Sequence, residues 1–260
     1  MASSGLPAAI KVDGSNMLSG PIRLRGTEHG GDAFTLRPQG SRIRPDKSSE
    51  TQVEYSGSAV GGPLRVQTSV HWEYDSTAKV RLELAPVEGS AELDALQVVI
   101  PFRPDAALNY MTVGLNMRQS CDAGRIPSET GVVWDSTEVP TQKMTVGSFV
   151  PVVWVGNRSM GMTWFADNDK GWWPTNDHPA IELVRREDGG VDLVLNLASQ
   201  PVALTEARQI EFGLNINPLR PMSEHERSPL TFGFLKRQGR WVPGKSDRKE
   251  FALRYPQDPE

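Results

Sequence analysis

Three tryptophans, three Asp or Asn side chains and a lysine crowd one short stretch, Trp164-Phe165-Ala-Asp167-Asn168-Asp169-Lys170-Gly171-Trp172-Trp173. Tryptophan faces stack on the apolar faces of sugar rings, while Asp, Asn and Lys hydrogen-bond hydroxyls. The stretch has the chemistry of a carbohydrate platform, with Asp167, Asp169, Lys170, Trp172 and Trp173 as its exposed contacts. A blander reading competes with it. Asp and Asn close turns through their own backbone, and Trp164 has the strand parity of a core residue. The Asp167-Asn168-Asp169 run does not make a helix-flanked calcium loop, because Gly171 comes one position early and no glutamate closes the loop.

Other carboxylates bear on hydrolysis. A glycosidase needs two of them about 5 to 10 Å apart across a sugar. Asp135, in Gly131-Val-Val-Trp134-Asp135-Ser136, is one candidate, to be paired with Asp167 or Glu182. Nucleophile elbows, phosphate-binding loops and dinucleotide fingerprints are absent from the sequence. The single cysteine, Cys121, has no nearby histidine to activate it and reads as a bystander thiol. Four scattered histidines make no metal-ligand spacing, so no metal and no cofactor are expected; His178, after the tryptophan loop, is the one nearest the candidate site.

The elements that position these residues read as strands. Leu64 to Tyr74 alternates apolar and polar residues, and Val80, Leu82 and Leu84 repeat the alternation after a short polar turn, the pattern of a hairpin. Ala95 to Ile100 is a third strand, stopped by Pro101 and Pro104. Phe149 to Val155 is apolar throughout, which predicts burial on both faces with Pro151 at an edge or bulge. Met160 to Ala166, Ile181 to Val184, Val191 to Leu197 and Ile210 to Ile216 follow, the third of these with alternating faces. The pattern predicts an all-β chain, a large antiparallel β-sandwich with an irregular C-terminal tail.

Past Pro218 the periodicity breaks into prolines and a basic cluster, Lys236, Arg237, Arg240, Lys245, Arg248 and Lys249, diluted by Asp247 and Glu250. Residues 1–222 are read as the sandwich and 223–260 as an extended tail or linker. With 28 basic and 32 acidic residues in 260, no nucleic-acid partner is expected. No apolar run reaches the roughly 20 residues of a spanning helix, so no membrane span is expected. The N-terminus shows neither the basic nor the apolar region of a secretory signal.

Phe149-Val-Pro-Val-Val-Trp154-Val-Gly156 followed by Gly161-Met-Thr-Trp164-Phe165-Ala-Asp167-Asn-Asp169-Lys170-Gly171-Trp172 resembles the N-terminal domain of glycoside hydrolase family 123-like proteins. Glu73-Tyr74-Asp75, Ile100-Pro101 and Gly131-Val-Val-Trp134-Asp135-Ser136 match upstream, and Ile181-Glu182-Leu183, Val191-Asp-Leu-Val-Leu-Asn196 and Ile210-Glu-Phe-Gly213-Leu214 match downstream. The similarity covers roughly residues 20 to 222. It implies a β-sandwich placed before a (β/α)₈ barrel that acts on N-acetylgalactosaminides through an adjacent Asp-Glu pair, in a secreted or periplasmic protein. No Asp-Glu dipeptide occurs in this sequence, and too few residues follow 222 for a barrel.

Three readings stay open. The chain is a non-catalytic, carbohydrate-associated module that binds glycan or polysaccharide or supports a catalytic barrel domain. It is a free-standing glycan-cleaving enzyme with a carboxylate pair. Or it is a structural interaction domain whose tryptophan loop braces the sandwich.

Overall fold

The computed structural model describes residues 4–40, 45–114, 121–137, 148–173, 175, 177–218, 234–237 and 240–243. It is all-β among these residues, and two antiparallel sheets pack as a sandwich. The larger sheet runs β12 (Cys121–Arg125), β11 (Asn109–Val113), β14 (Val152–Gly156), β15 (Gly161–Phe165), β19 (Arg208–Asn217), β9 (Thr77–Pro86), β8 (Leu64–Glu73), β7 (Gln52–Gly61) and β5 (Arg37–Gln39), with β6 (Lys47–Ser48) also on β7. The smaller runs β13 (Gly131–Asp135), β16 (Ile181–Arg185), β17 (Val191–Ala198), β10 (Ala91–Phe102), β3 (Arg23–Glu28) and β4 (Ala33–Thr35), with β18 (Val202–Leu204) on β10. A small ribbon, β1 (Lys11–Val12) and β2 (Ser15–Asn16), precedes them.

Contacts divide the chain into residues 1–219 and 220–260. In the second unit β20 (Phe234–Arg237) pairs with β21 (Arg240–Pro243). The remainder of the predicted tail, with Lys245, Arg248 and Lys249, lies outside the described residues. No described helix is long and apolar enough to cross a membrane.

Alternation places the core. Leu64, Val66 and Val70 of β8, Val80, Leu82 and Leu84 of β9, and Ile210, Phe212 and Leu214 of β19 face inward. They meet Val98 and Ile100 of β10, Ile181 and Leu183 of β16, and Leu193, Leu195 and Leu197 of β17. Trp164 joins them, wholly buried, as its parity predicts.

Two strands exchange the characters expected of them. β14 is half-exposed on alternate residues, not buried on both faces, because Pro151 lies before the strand and leaves Val152 and Trp154 outward. β17, expected to have a wet face, is buried at every residue. Its outward Asp192 and Asn196 are covered by partners from the neighbouring elements. Asp192 bonds Arg186, and Asn196 receives a bond from Gln97 at 2.6 Å and donates to Glu182 at 2.8 Å. Arg25 of β3 completes the row, donating to Gln97 at 2.6 Å. Of the two prolines expected to stop the third strand, Pro101 does not, and the strand ends before Pro104. β10 continues to Phe102, with Pro101 opposite Asp192 and the Pro101 carbonyl accepting from Ser19.

At the turn between β3 and β4, His29 Nδ1 lies 2.7 Å from Asp94 Oδ1, and the Gly30 amide donates to the second oxygen. The hydrogen bond to Asp94 raises the His29 pKa, and the same bond lowers that of Asp94. The raised histidine stabilises the fold fully below its ordinary value, and this contribution is lost as pH rises through the folded value. The lowered carboxylate stabilises above its ordinary range and loses that as pH falls. Thermal melts across pH should therefore show native protein ahead of His29→Gln between the carboxylate and raised histidine ranges. The two curves should converge at higher pH; parallel curves would refute the pairing.

Candidate functional site

The tryptophan loop follows β15, and its first task is structural. Trp172 is 4 % exposed, not a surface contact as expected. Its ring packs edge-on against Phe149, with centroids 5.3 Å apart, and lies 6.0 Å from that of Trp164. An indole at this depth has no face to offer a sugar. Trp173 is half-buried, its amide bonded to the Leu197 carbonyl at 2.8 Å and its ring capped by the Arg208 guanidinium at 4.1 Å. Arg208 also donates to the Trp172 carbonyl at 3.2 Å. Gly171 makes the turn at φ +92°, where an added Cβ would stand 2.2 Å from the Gln209 carbonyl oxygen.

With the tryptophans anchored, the polar part of the loop turns to the outer face of the larger sheet. Asn168 caps the turn through a bond from the Lys170 amide and donates to Asp167. Asp167 and Lys170 are exposed. Asp169 is half-buried, and its carbonyl accepts from the Trp172 amide at 3.0 Å. Asp167, Asn168 and Lys170 edge a groove of about 570 Å³ together with Thr77, Lys79, Phe165, Gln209 and Glu211. Asp169 and Trp173 are not among its lining residues.

Phe165 forms the groove's aromatic surface, and a glycine makes this possible. Phe165 pairs across the ladder with Gly213. An ideal Cβ on Gly213 would lie 2.1 Å from Cζ of Phe165 and 2.5 Å from another two ring carbons. Near-equal distances to three adjacent ring atoms describe a point above the ring, not one in its plane. The ring therefore lies face-down on the β19 backbone.

Beside it, Glu211 is held by Lys79 at 3.0 Å, by Arg81 at 2.6 Å and by the Gln209 amide at 3.0 Å. The Lys79 hydrogen bond, with help from Arg81, keeps the Glu211 carboxyl below its usual range. It stays ionised at neutral pH, suited to accepting hydroxyl hydrogen bonds but not to protonating a leaving group.

Of the hydrolase candidates, Asp135 and Glu182 are brought side by side and Asp167 is set apart from both. Asp135 and Glu182 are cross-strand partners on the outer face of the smaller sheet. Asp135 accepts from the Thr137 amide at 2.8 Å, a turn cap, and Glu182 accepts from Asn196. Asp167 stands over the other sheet, so the Asp135 and Asp167 pair does not converge. His178 is exposed, its amide bonded to Thr175 and its carbonyl to Ser148. Cys121 is exposed at the start of β12. Among the described residues no group of three or more His, Cys, Asp or Glu could hold a metal.

Of the residues at this groove, the sequence reading singles out Asp167 and Lys170 and passes over Phe165, Lys79, Gln209 and Glu211. The signal for Phe165 was its parity: if Trp164 points inward, Phe165 points out.

A family model, Glycoside hydrolase 123, third domain, matches residues 1–177, where the sequence reading expects an N-terminal domain. No curated protein sequence matches the chain. Among solved structures, an α-galactosidase from Lactobacillus brevis is similar at 9% identity and TM-score 0.46, over 80% of this chain and 30% of that one. A β-arabinopyranosidase is similar at 12% and 0.45, over 82% and 37%. A GalM/aldose epimerase homologue from C. elegans is similar at 8% and 0.39, over 81% and 78%. The chain thus spans about a third of the first two proteins' length.

The loop's anchoring makes one test direct. Trp172→Ala should cost about 3–5 kcal/mol of stability, the range for truncating a large buried aromatic. Urea unfolding would measure it, and a change below about 1 kcal/mol would contradict the packing described.

Proposed function

The chain belongs to the glycoside hydrolase 123 third-domain family, and from that membership and the groove we propose that it is a non-catalytic, carbohydrate-associated β-sandwich. It binds glycan over Phe165 and works beside a catalytic barrel domain carried elsewhere. The observation that carries the reading is the Phe165 ring laid flat on Gly213 within a ring of hydrogen-bonding side chains. A flat apolar surface bordered by Asp167, Lys170, Gln209 and an ionised Glu211 suits a pyranose, which has an apolar face and a rim of hydroxyls.

Cleavage by the chain alone has less support. Of the groove's two carboxylates, Glu211 is committed to Lys79 and Arg81, which leaves Asp167 without a free carboxylate to pair with there; the adjacent Asp135 and Glu182 lie over the other sheet, accepting from Thr137 and Asn196. The tryptophan loop serves as brace and as display at once, since anchoring Trp172 and Trp173 is what presents Asp167 and Lys170.

A glycan-array screen with product analysis tests the proposal. Binding without cleavage is expected, and Phe165→Ala should weaken it about tenfold, about 1.4 kcal/mol, with an unchanged melting temperature. Product release by the purified chain, or full affinity in that variant, would refute the reading.

A further inference from the structure

A second outward ring lies on the same face, reaching from two to four residues further along the strands. Trp154 of β14 points away from the core, opposite Thr163 of β15. An ideal Cβ on Gly161 would lie 2.4 Å from its Nε1, 2.6 Å from Cε2 and 2.7 Å from Cζ2, and one on Gly156 would lie 2.4 Å from Cζ2. The Nε1–Cε2–Cζ2 edge of this indole sits against two glycines that pair across the β14–β15 hairpin. Neither ring packs against the hydrophobic core.

A polar strip joins the two rings. Gly161, Thr163 and Phe165 share the outward parity of β15 and pair with Asn217, Asn215 and Gly213 of β19. The Asn217 amide donates to the Asn215 carbonyl at 3.2 Å, and the Asn215 amide donates to the Thr77 hydroxyl at 2.9 Å. Thr77 already lines the Phe165 groove. Among the described residues the Thr163 hydroxyl and the Asn217 side-chain carbonyl have no partner, which leaves both to bond a ligand. Trp154's own row, with Thr163 and Asn215, lies two residues from that of Phe165, and the glycines beneath its indole lie four residues away, so the two contacts stand about 7 to 13 Å apart along the strands, at roughly 3.3 Å per residue.

We infer that Trp154 is the far end of one continuous glycan path that begins at Phe165, so that the ligand is an oligosaccharide lying along β15 and not a single sugar. This rests on reading the Phe165 groove as a glycan site. A separation of this size exceeds one sugar ring, so simultaneous contact requires linked rings, laid beside the Thr163, Asn215 and Asn217 strip. The strip supplies donors and acceptors at the level of the ring faces, where hydroxyls of a flat-lying chain project. A monosaccharide can use one ring only.

The test is calorimetric titration with chitin, cellulose and galactan oligosaccharides, each from monosaccharide to hexasaccharide. The native chain should bind the tetrasaccharide of its preferred series about tenfold more tightly than the disaccharide, the increment of one added stacking contact. Trp154→Ala should erase that increment and leave disaccharide affinity unchanged. Trp154→Leu keeps the glycines covered while removing the flat face, and should behave the same way even if the alanine variant fails to fold. Undiminished tetrasaccharide affinity in a folded Trp154 variant, with Phe165→Ala still deleterious, overturns the second platform and spares the groove. Absence of binding to every ladder member overturns both.

Discussion

The burial of one indole governs the geometry of this face of the molecule. Trp172 enters between Phe149 and Trp164 and drags its loop back onto the sheet end. Gly171 bends the chain at a point where no side chain fits, and Arg208 seals the exit over Trp173. The indole N–H groups of Trp164 and Trp172 have no hydrogen-bond partner among the described residues. Each costs about 1–3 kcal/mol when buried unbonded. Burying the 150–250 Å² of an aromatic side chain contributes about 4–6 kcal/mol, so the apolar term prevails. The residues that border the groove are therefore displayed by a loop whose position is set in the core.

The sheets were largely legible, because alternation in β8, β9, β15 and β19 is strict and each strand has one wet face. What escaped were positions whose environment comes from far along the chain. Asp192 and Asn196 look like solvent-facing residues until Arg23 and Gln97, from the first half of the chain, are laid beside them. Trp172 sits in a loop, where no periodicity tells inside from outside, so residue type alone pointed outward and misled. Phe165 was half legible. Its orientation follows from Trp164, but the glycine that lets it lie flat is 48 positions away, and only the register of β15 on β19 brings them together.

The smaller sheet settles its register by other means. The row Arg25, Gln97, Asn196 and Glu182 makes one side-chain bond between each neighbouring pair of β3, β10, β17 and β16. Slipping any of these strands by one residue would turn the polar group into the core and an apolar one outward. Val99 and Val194, outward yet essentially unexposed, are shielded on this polar face. The two faces of the sandwich thus differ in kind, one closed by bonded side chains and the other carrying aromatic rings over bare backbone.

That contrast bears on entropy. A ring pressed against a glycine strand has almost no rotamer freedom left. Freezing a mobile side chain on contact with a ligand commonly costs about 0.5–1.5 kcal/mol. At Gly156, Gly161 and Gly213 that ordering is completed when the sheet forms, so these surfaces are rigid before anything reaches them.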